Sequence, residues 1–294
     1  MTGGRLKITW LDIVISLALV ATGIYIFYRI KVGLHYKWNW GAIPQYLFRY
    51  DEALGGFVPN LLMQGLFTTI RLSIWGTVLA CVIGLVMGLF RTSRSLFRQL
   101  IGRTYVELIR NVPPLILVFI FYYFIGDQII TLLGVDRFLD GLSEEATSIL
   151  GFLLGPPAQF SPFLSALITI AIFEGAYITE IVRAGVQSIP RGQYEAAYAL
   201  GLSRMQAMRH VVLPQAIKTI LPPLAGQFIS TIKDSAIVSV ISIQELTFQG
   251  MELMSATYLT FECWITITAL YLTLTLTLSL GANRLELYIR KNEA

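Results

Sequence analysis

Long apolar runs alternate with short polar stretches in this chain, and the runs set its elements. Reading runs of roughly 17 to 25 residues as helices able to cross a bilayer gives six candidates, at about 10–29, 60–90, 104–126, 162–188, 216–232 and 258–283. The fifth is interrupted by Pro222, Pro223 and the Lys233-Asp234 pair. Residues 235–243 (SAIVSVISI) are apolar but too short to cross, which predicts a broken or re-entrant element there. The last run alternates Thr and Leu from Thr273 onward, a period that in isolation suggests a strand. A lone strand would leave its backbone unpaired in lipid, so helix is the expectation. Gly84-x-x-x-Gly88 in the second run predicts close helix packing.

One polar stretch, PRGQYEAAYALGLSRMQAMRHVVLP at 190–214, cannot span and must lie outside the bilayer. Tyr194 to Leu200 is strong helix-former sequence, and Gly201 can supply the left-handed residue that ends such a helix. Ser203 heads a second helix with Gln206 three residues on, a capping-box spacing. Pro214 is expected to close that helix or bend it. Arg191, Arg204, Arg209 and His210 make the stretch basic, which predicts the cytoplasmic side. That choice also places five basic residues of 91–110 and both chain termini inside. The 127–160 segment, with Asp127, Asp136, Asp140, Glu144 and Glu145, then lies outside. The 29–59 loop is the discordant piece, being basic yet outside.

Composition narrows the class. A chain of 294 residues that is 55% hydrophobic and 14% charged, with mean hydropathy +0.66, is neither a typical soluble domain nor disordered. Its net charge of +4 follows membrane topology, so nucleic acid is not an expected partner. Cys81 and Cys263 both fall inside apolar runs and read as small core residues, with no metal spacing. Two histidines leave little for a Cys/His metal site or a histidine-based triad. Arg5 and Lys7 precede the apolar stretch Leu11–Tyr28, whose 18 residues and lack of an A-x-A site favour an uncleaved first span over a signal peptide.

The spacing Glu195-Ala196-Ala197, Gly201 and Leu213-Pro214 resembles the coupling loop of ABC importer permeases, EAA-x3-G-x9-I-x-L-P, with Val211 in place of Ile. Further motifs extend the resemblance over about 57–288. Gly65-Leu-Phe-Thr-Thr-Ile-Arg-Leu-Ser looks like the first core helix of polar amino acid permeases, and Tyr105-Val-Glu-Leu-Ile-Arg-Asn-Val-Pro-Pro-Leu is similar to their YVE-x2-RGTPLL segment. Ala176-Tyr177-Ile-Thr-Glu180-Ile-Val-Arg183, Gly192-Gln193, Leu213-Pro214-Gln215-Ala216, Leu221-Pro222-Pro223-Leu224 and Lys233-Asp234-Ser235 also match. Together they resemble the histidine/glutamate/glutamine/arginine branch of type I ABC importers. Asn111-Val112 and Ala236-Ile237 depart from that branch, which weakens any carry-over of substrate identity.

The resemblance implies an all-α polytopic membrane protein with the type I importer fold. It implies a five-helix core plus one extra N-terminal transmembrane helix. The organisation expected is an N-terminal helix and outer loop at 1–56, a transmembrane domain at 57–288 and a cytoplasmic tail at 289–294. It further implies a permease that imports polar amino acids by alternating access in a bacterial inner membrane. The partners implied are an ATPase dimer, a second permease copy and a solute-binding protein. Glu195, Ala196, Ala197, Gly201, Leu213 and Pro214 would meet the ATPase. No G-x4-GK[ST] occurs, so ATP and Mg belong to that partner, and this chain binds no cofactor and is not an enzyme. The competing reading is an ATP-independent secondary carrier or channel for small zwitterions; an intramembrane enzyme lacks an H-E-x-x-H or G-x-S-x-G motif.

Ionisable residues inside spans cost several kcal/mol unless paired or wetted, about 2.5–3.5 on insertion scales. Glu107 with Arg110 and Glu180 with Arg183 are i,i+3 neighbours and predict local ion pairs. Arg71, Glu174 and Lys233 are expected to face a transport cavity near Asp234, where a carboxylate and a guanidinium suit an α-amino acid. An interhelical Arg71–Glu174 salt bridge is the rival expectation.

Overall fold

The structure is a computed structural model that describes residues 9–33, 36–53 and 55–291. The chain divides into two compact units, Met1–Trp40 and Gly41–Ala294. The division therefore falls earlier than the expected 56/57 boundary. The reason is an antiparallel hairpin, β1 (Phe48–Asp51) against β2 (Gly56–Pro59), that follows a short helix α2 (Ile43–Leu47). Asn60 ties this segment to the start of the next helix, its N–H donating to Leu47 O at 2.9 Å and its Nδ2 to Gln45 O at 2.6 Å. Among the described residues the first unit holds one long helix, α1 (Trp10–Gly33), whose apolar part runs Trp10–Ile26. It occupies the first predicted run.

Among the described residues, five helices of the second unit are long and apolar enough to cross a membrane. α3 (Leu61–Arg91) and α9 (Phe160–Gln187) follow the second and fourth runs closely, and α14 (Thr260–Lys291) carries the Thr/Leu alternation as helix. The third run is corrected. The expected helix at 104–126 is split into an amphipathic α4 (Leu96–Asn111) and a span at 114–132, formed by α5 (Pro114–Ile120), a wide turn Phe121–Gly126 and α6 (Asp127–Leu132). Consecutive Pro113 and Pro114 are the cause. Residues before proline are pushed out of the helical region, and Val112 and Pro113 have ψ of 140° and 132°. Two shorter helices, α7 (Val135–Asp140) and α8 (Glu144–Leu154), connect to α9.

The polar stretch folds as α10 (Arg191–Ala199) and α11 (Arg204–Ala207), and the fifth span grows out of it. α11 runs through a wide turn at Met208–Val212 into α12 (Leu213–Asp234) and a tight turn at Ser235–Ile241, one continuous run of 38 residues. Three expectations change here. Pro214 neither closes nor breaks the helix, because the wider turn before it absorbs the missing N–H. Pro222 and Pro223 are likewise carried inside α12, which packs on α9 and α14. The predicted re-entrant segment at 235–243 is the tight continuation of this helix, closed by Ser242 at φ 63°.

A further helix, α13 (Leu246–Thr257), is absent from the run-based reading. It starts on the buried carboxylate of Glu245, which accepts from the Thr247 and Phe248 N–H groups at 2.9 and 2.8 Å. Thr69 Oγ1 and Tyr271 Oη also reach that carboxylate, at 3.3 and 2.9 Å.

α9 is the central post: 72% of its apolar stretch is buried, against 11% for α14. α3 lies along α9 in parallel, with Gly76, Gly84 and Gly88 seated on Ile170, Ile178 and Val182. A Cβ on Gly84 would come within 2.5 Å of Ile178, so the glycines set the close approach that Gly84-x-x-x-Gly88 predicts.

Candidate functional site

At one end of the bundle α10 and α11 stand as an exposed pair, and its turn is built by local chemistry. Gly201 adopts φ +78°, its N–H donates to Tyr198 O at 2.9 Å, and the Leu202 N–H donates to Ala197 O at 3.1 Å. This is the paired closure of a Schellman motif, which needs a left-handed residue. Ser203 then caps α11 reciprocally with Gln206, the hydroxyl accepting from the Gln206 N–H and the Gln206 amide oxygen accepting from the Ser203 N–H.

Glu195, Ala196, Gly201 and Pro214 are exposed and Leu213 is half-buried. Ala197 is 2% exposed, so its methyl is enclosed by its own chain and offers no surface to a partner, contrary to expectation. Tyr194 anchors α10 by donating to Val186 O at 3.4 Å, and burial holds its hydroxyl above the ordinary range. Beside the pair a cavity of about 440 Å³ is lined by Arg91, Arg94, Arg191 and Arg204 together with Tyr194 and Tyr198. Such a concave basic face suits an acidic protein surface.

The charges in the bundle sort differently from expectation. Glu180 does pair with Arg183, whose Nη2 lies 2.7 Å from Oε2, and Arg91 reaches the other carboxylate oxygen from α3. Glu107 does not pair with Arg110. It accepts instead from Asn111 Nδ2 at 2.9 Å, and Arg110 lies 5.4 Å over the Tyr177 ring.

Glu174 is fully buried, accepts from Gln227 Nε2 at 2.7 Å through Oε2, and leaves Oε1 without a partner. Asp234 and Thr231 of α12 stand beside it. Lys233 and Asp234 are exposed on this chain. Two neighbouring carboxyls and an amide form a polar cluster whose chemistry suits a cation, such as the ammonium of an amino acid.

Arg71 is not part of that group. The constant register of α3 on α9 puts it level with Ser165, about nine residues and roughly 13 Å from Glu174 along the axis. The Arg71–Glu174 bridge is therefore absent, since both ion pairs among the described residues use Glu180. Arg71 sits half-buried toward the opposite end of the bundle, in a cavity with Gln64, Gln159, Gln244 and Gln249. Sequence reasoning missed Gln227 and Gln249 because neutral amides inside apolar runs raise no charge flag, and only the packing of α12 and α13 gives them neighbours.

The family described as binding-protein-dependent transport system inner membrane component matches residues 76–291. The glutamine transport system permease protein GlnP of Escherichia coli (strain K12) is 36% identical over 255 residues, 86% of this chain and 97% of that protein. The probable glutamine ABC transporter permease protein GlnM of Bacillus subtilis (strain 168) is 33% identical over 79% of this chain and 95% of its own length. Among solved structures, that of an amino acid ABC transporter with histidines superposes with a TM-score of 0.61 at 34% identity, covering 77% of this chain and 92% of that one.

Proposed function

Because this chain belongs to the family of binding-protein-dependent transport system inner membrane components, we propose that it forms half of a pathway carrying a polar amino acid into the cell. It is a permease subunit of an ABC amino acid importer, a transport component and not a catalytic subunit, and an ATP-independent carrier is set aside. In the finer reading, a solute-binding protein delivers the amino acid and an ATPase dimer holding ATP and Mg grips the α10–α11 pair. A second permease copy, like or unlike, completes the pathway. Both termini and the pair lie on the cytoplasmic side of the inner membrane.

The observation that carries this reading is the exposed, doubly capped helix pair continuous with a membrane helix. Glu195 and Ala196 present a small acidic face, and the arginine-lined cavity beside them complements an acidic partner. Two of the relatives are named for glutamine. That supports a polar solute of this type, whose ammonium would meet Glu174 and Asp234.

The test is the intact mass of the complex that co-purifies with the tagged chain in mild detergent, followed by uptake of labelled L-glutamine into proteoliposomes. Two ATPase subunits with two permease halves, and uptake that needs ATP, are expected. The chain alone, or uptake indifferent to ATP, would overturn the assembly proposed.

A further inference from the structure

The acids at Glu174 and Asp234 suit the positive end of a zwitterion and offer nothing to its carboxylate. The bundle holds the complementary chemistry elsewhere. The cavity around Arg71 measures about 440 Å³, within the range of small-molecule sites. Its polar lining is Arg71, Thr68 and the glutamines 64, 159, 244 and 249, and no acidic residue lines it.

Two features of that lining call for a ligand. Arg71 enters no ion pair among the described residues, although it lies well inside an apolar helix. Gln249 is 4% exposed, and its Oε1 accepts no hydrogen bond. A buried acceptor left unpaired is destabilising, so a donor arriving there is favoured. The other amides are held in place: Gln159 Nε2 donates to Gln244 Oε1 at 2.5 Å, and Gln64 Nε2 donates to Pro59 O at 2.9 Å. The site is thus built before anything binds, with a guanidinium fork for a carboxylate and a carbonyl for an N–H.

We propose that this cavity is a second solute station, one that reads the carboxylate of a free amino acid before the acids some 13 Å further along receive its ammonium. The inference rests on the chain conducting amino acids. It adds a site with its own residues, on the side of the bundle away from α10 and α11.

The experiment is equilibrium binding to the purified complex in lipid nanodiscs without the solute-binding protein. The probes are tritiated L-glutamine and its methyl ester, in which the carboxylate is masked. L-glutamine is expected to bind a site that survives Glu174→Gln, weakens about 10- to 100-fold in Arg71→Gln and recovers in part in Arg71→Lys. The ester is expected to bind weakly to all of them alike. Gln249→Leu gives a second reading, about 10-fold weaker, should Arg71→Gln fail to assemble. Unchanged glutamine affinity in both the Arg71 and Gln249 variants, or an ester that binds as tightly as the acid, overturns the station. ATP-driven uptake by the wild-type complex judges the importer reading separately, since these binding measurements use no ATP.

Discussion

Gln227 is the side chain on which Glu174 depends. Its amide donates to Oε2 of that buried carboxylate at 2.7 Å, and Oε1 accepts no hydrogen bond. Gln227→Leu leaves the acid with neither, and a hydrogen bond to a charged group is worth about 1.5–3 kcal/mol. The expected outcome is a rise of at least about 10-fold in the KM for glutamine uptake, with the complex still assembling by size-exclusion chromatography. Gly201 makes a different kind of demand. A Cβ there meets nothing within 4 Å, so the cost of Gly201→Ala is conformational alone, about 1–2 kcal/mol for a left-handed residue. Faster amide hydrogen exchange at Gly201 and Leu202 should report it. These two residues also differ in legibility. Gly201 and Ser203 act on their own neighbours, so their roles follow from spacing. Gln227 acts on a residue 53 positions away, which no local period reveals.

Helices in this molecule were readable where an apolar run coincided with one continuous backbone. α3 and α9 meet that condition, and so does α14 despite its strand-like period, because lipid leaves a single strand no partners. The third run failed it at Pro113-Pro114, where hydrophobicity continues but the helix stops. The fifth failed in the opposite sense. Its prolines suggest interruption, yet a wide turn and packing against α9 keep it whole. α13 escaped notice because its start depends on Glu245, a buried cap fed from α3 and α14. The α3–α9 seam supplies a prediction of its own. Gly84→Val pushes methyls into Ile178, an overpacking cost of about 1–3 kcal/mol. Thermal unfolding in detergent should show it, and Ile178→Ala in the same chain should recover part of the loss.

Taken whole, the bundle leaves much apolar surface uncovered. Leu272, Leu276 and Leu280 of α14 are all more than half exposed, as lipid or a second permease copy would require. The exposed α10–α11 pair is the corresponding polar face, and its charge can be reversed without touching the core. Glu195→Arg is expected to cut ATP-driven uptake at least about 10-fold. The bundle itself should unfold at an unchanged temperature, and ATP hydrolysis measured in parallel should continue without solute movement. A stability loss equal to the transport loss would instead make Glu195 a structural residue.

The run of 38 residues from Arg204 to Ile241 turns that surface into a lever. At 1.5 Å per residue it is a rod of roughly 57 Å, and Gln227 and Asp234 are mounted on it well away from the end that a partner can push. A tilt of about 10° applied at α11 sweeps Gln227 through roughly 6 Å on that rise, enough to pull its amide off Glu174. Leverage of this sort makes the Gln227–Glu174 contact a matter of angle, so a small rotation at the α11 end suffices to part them.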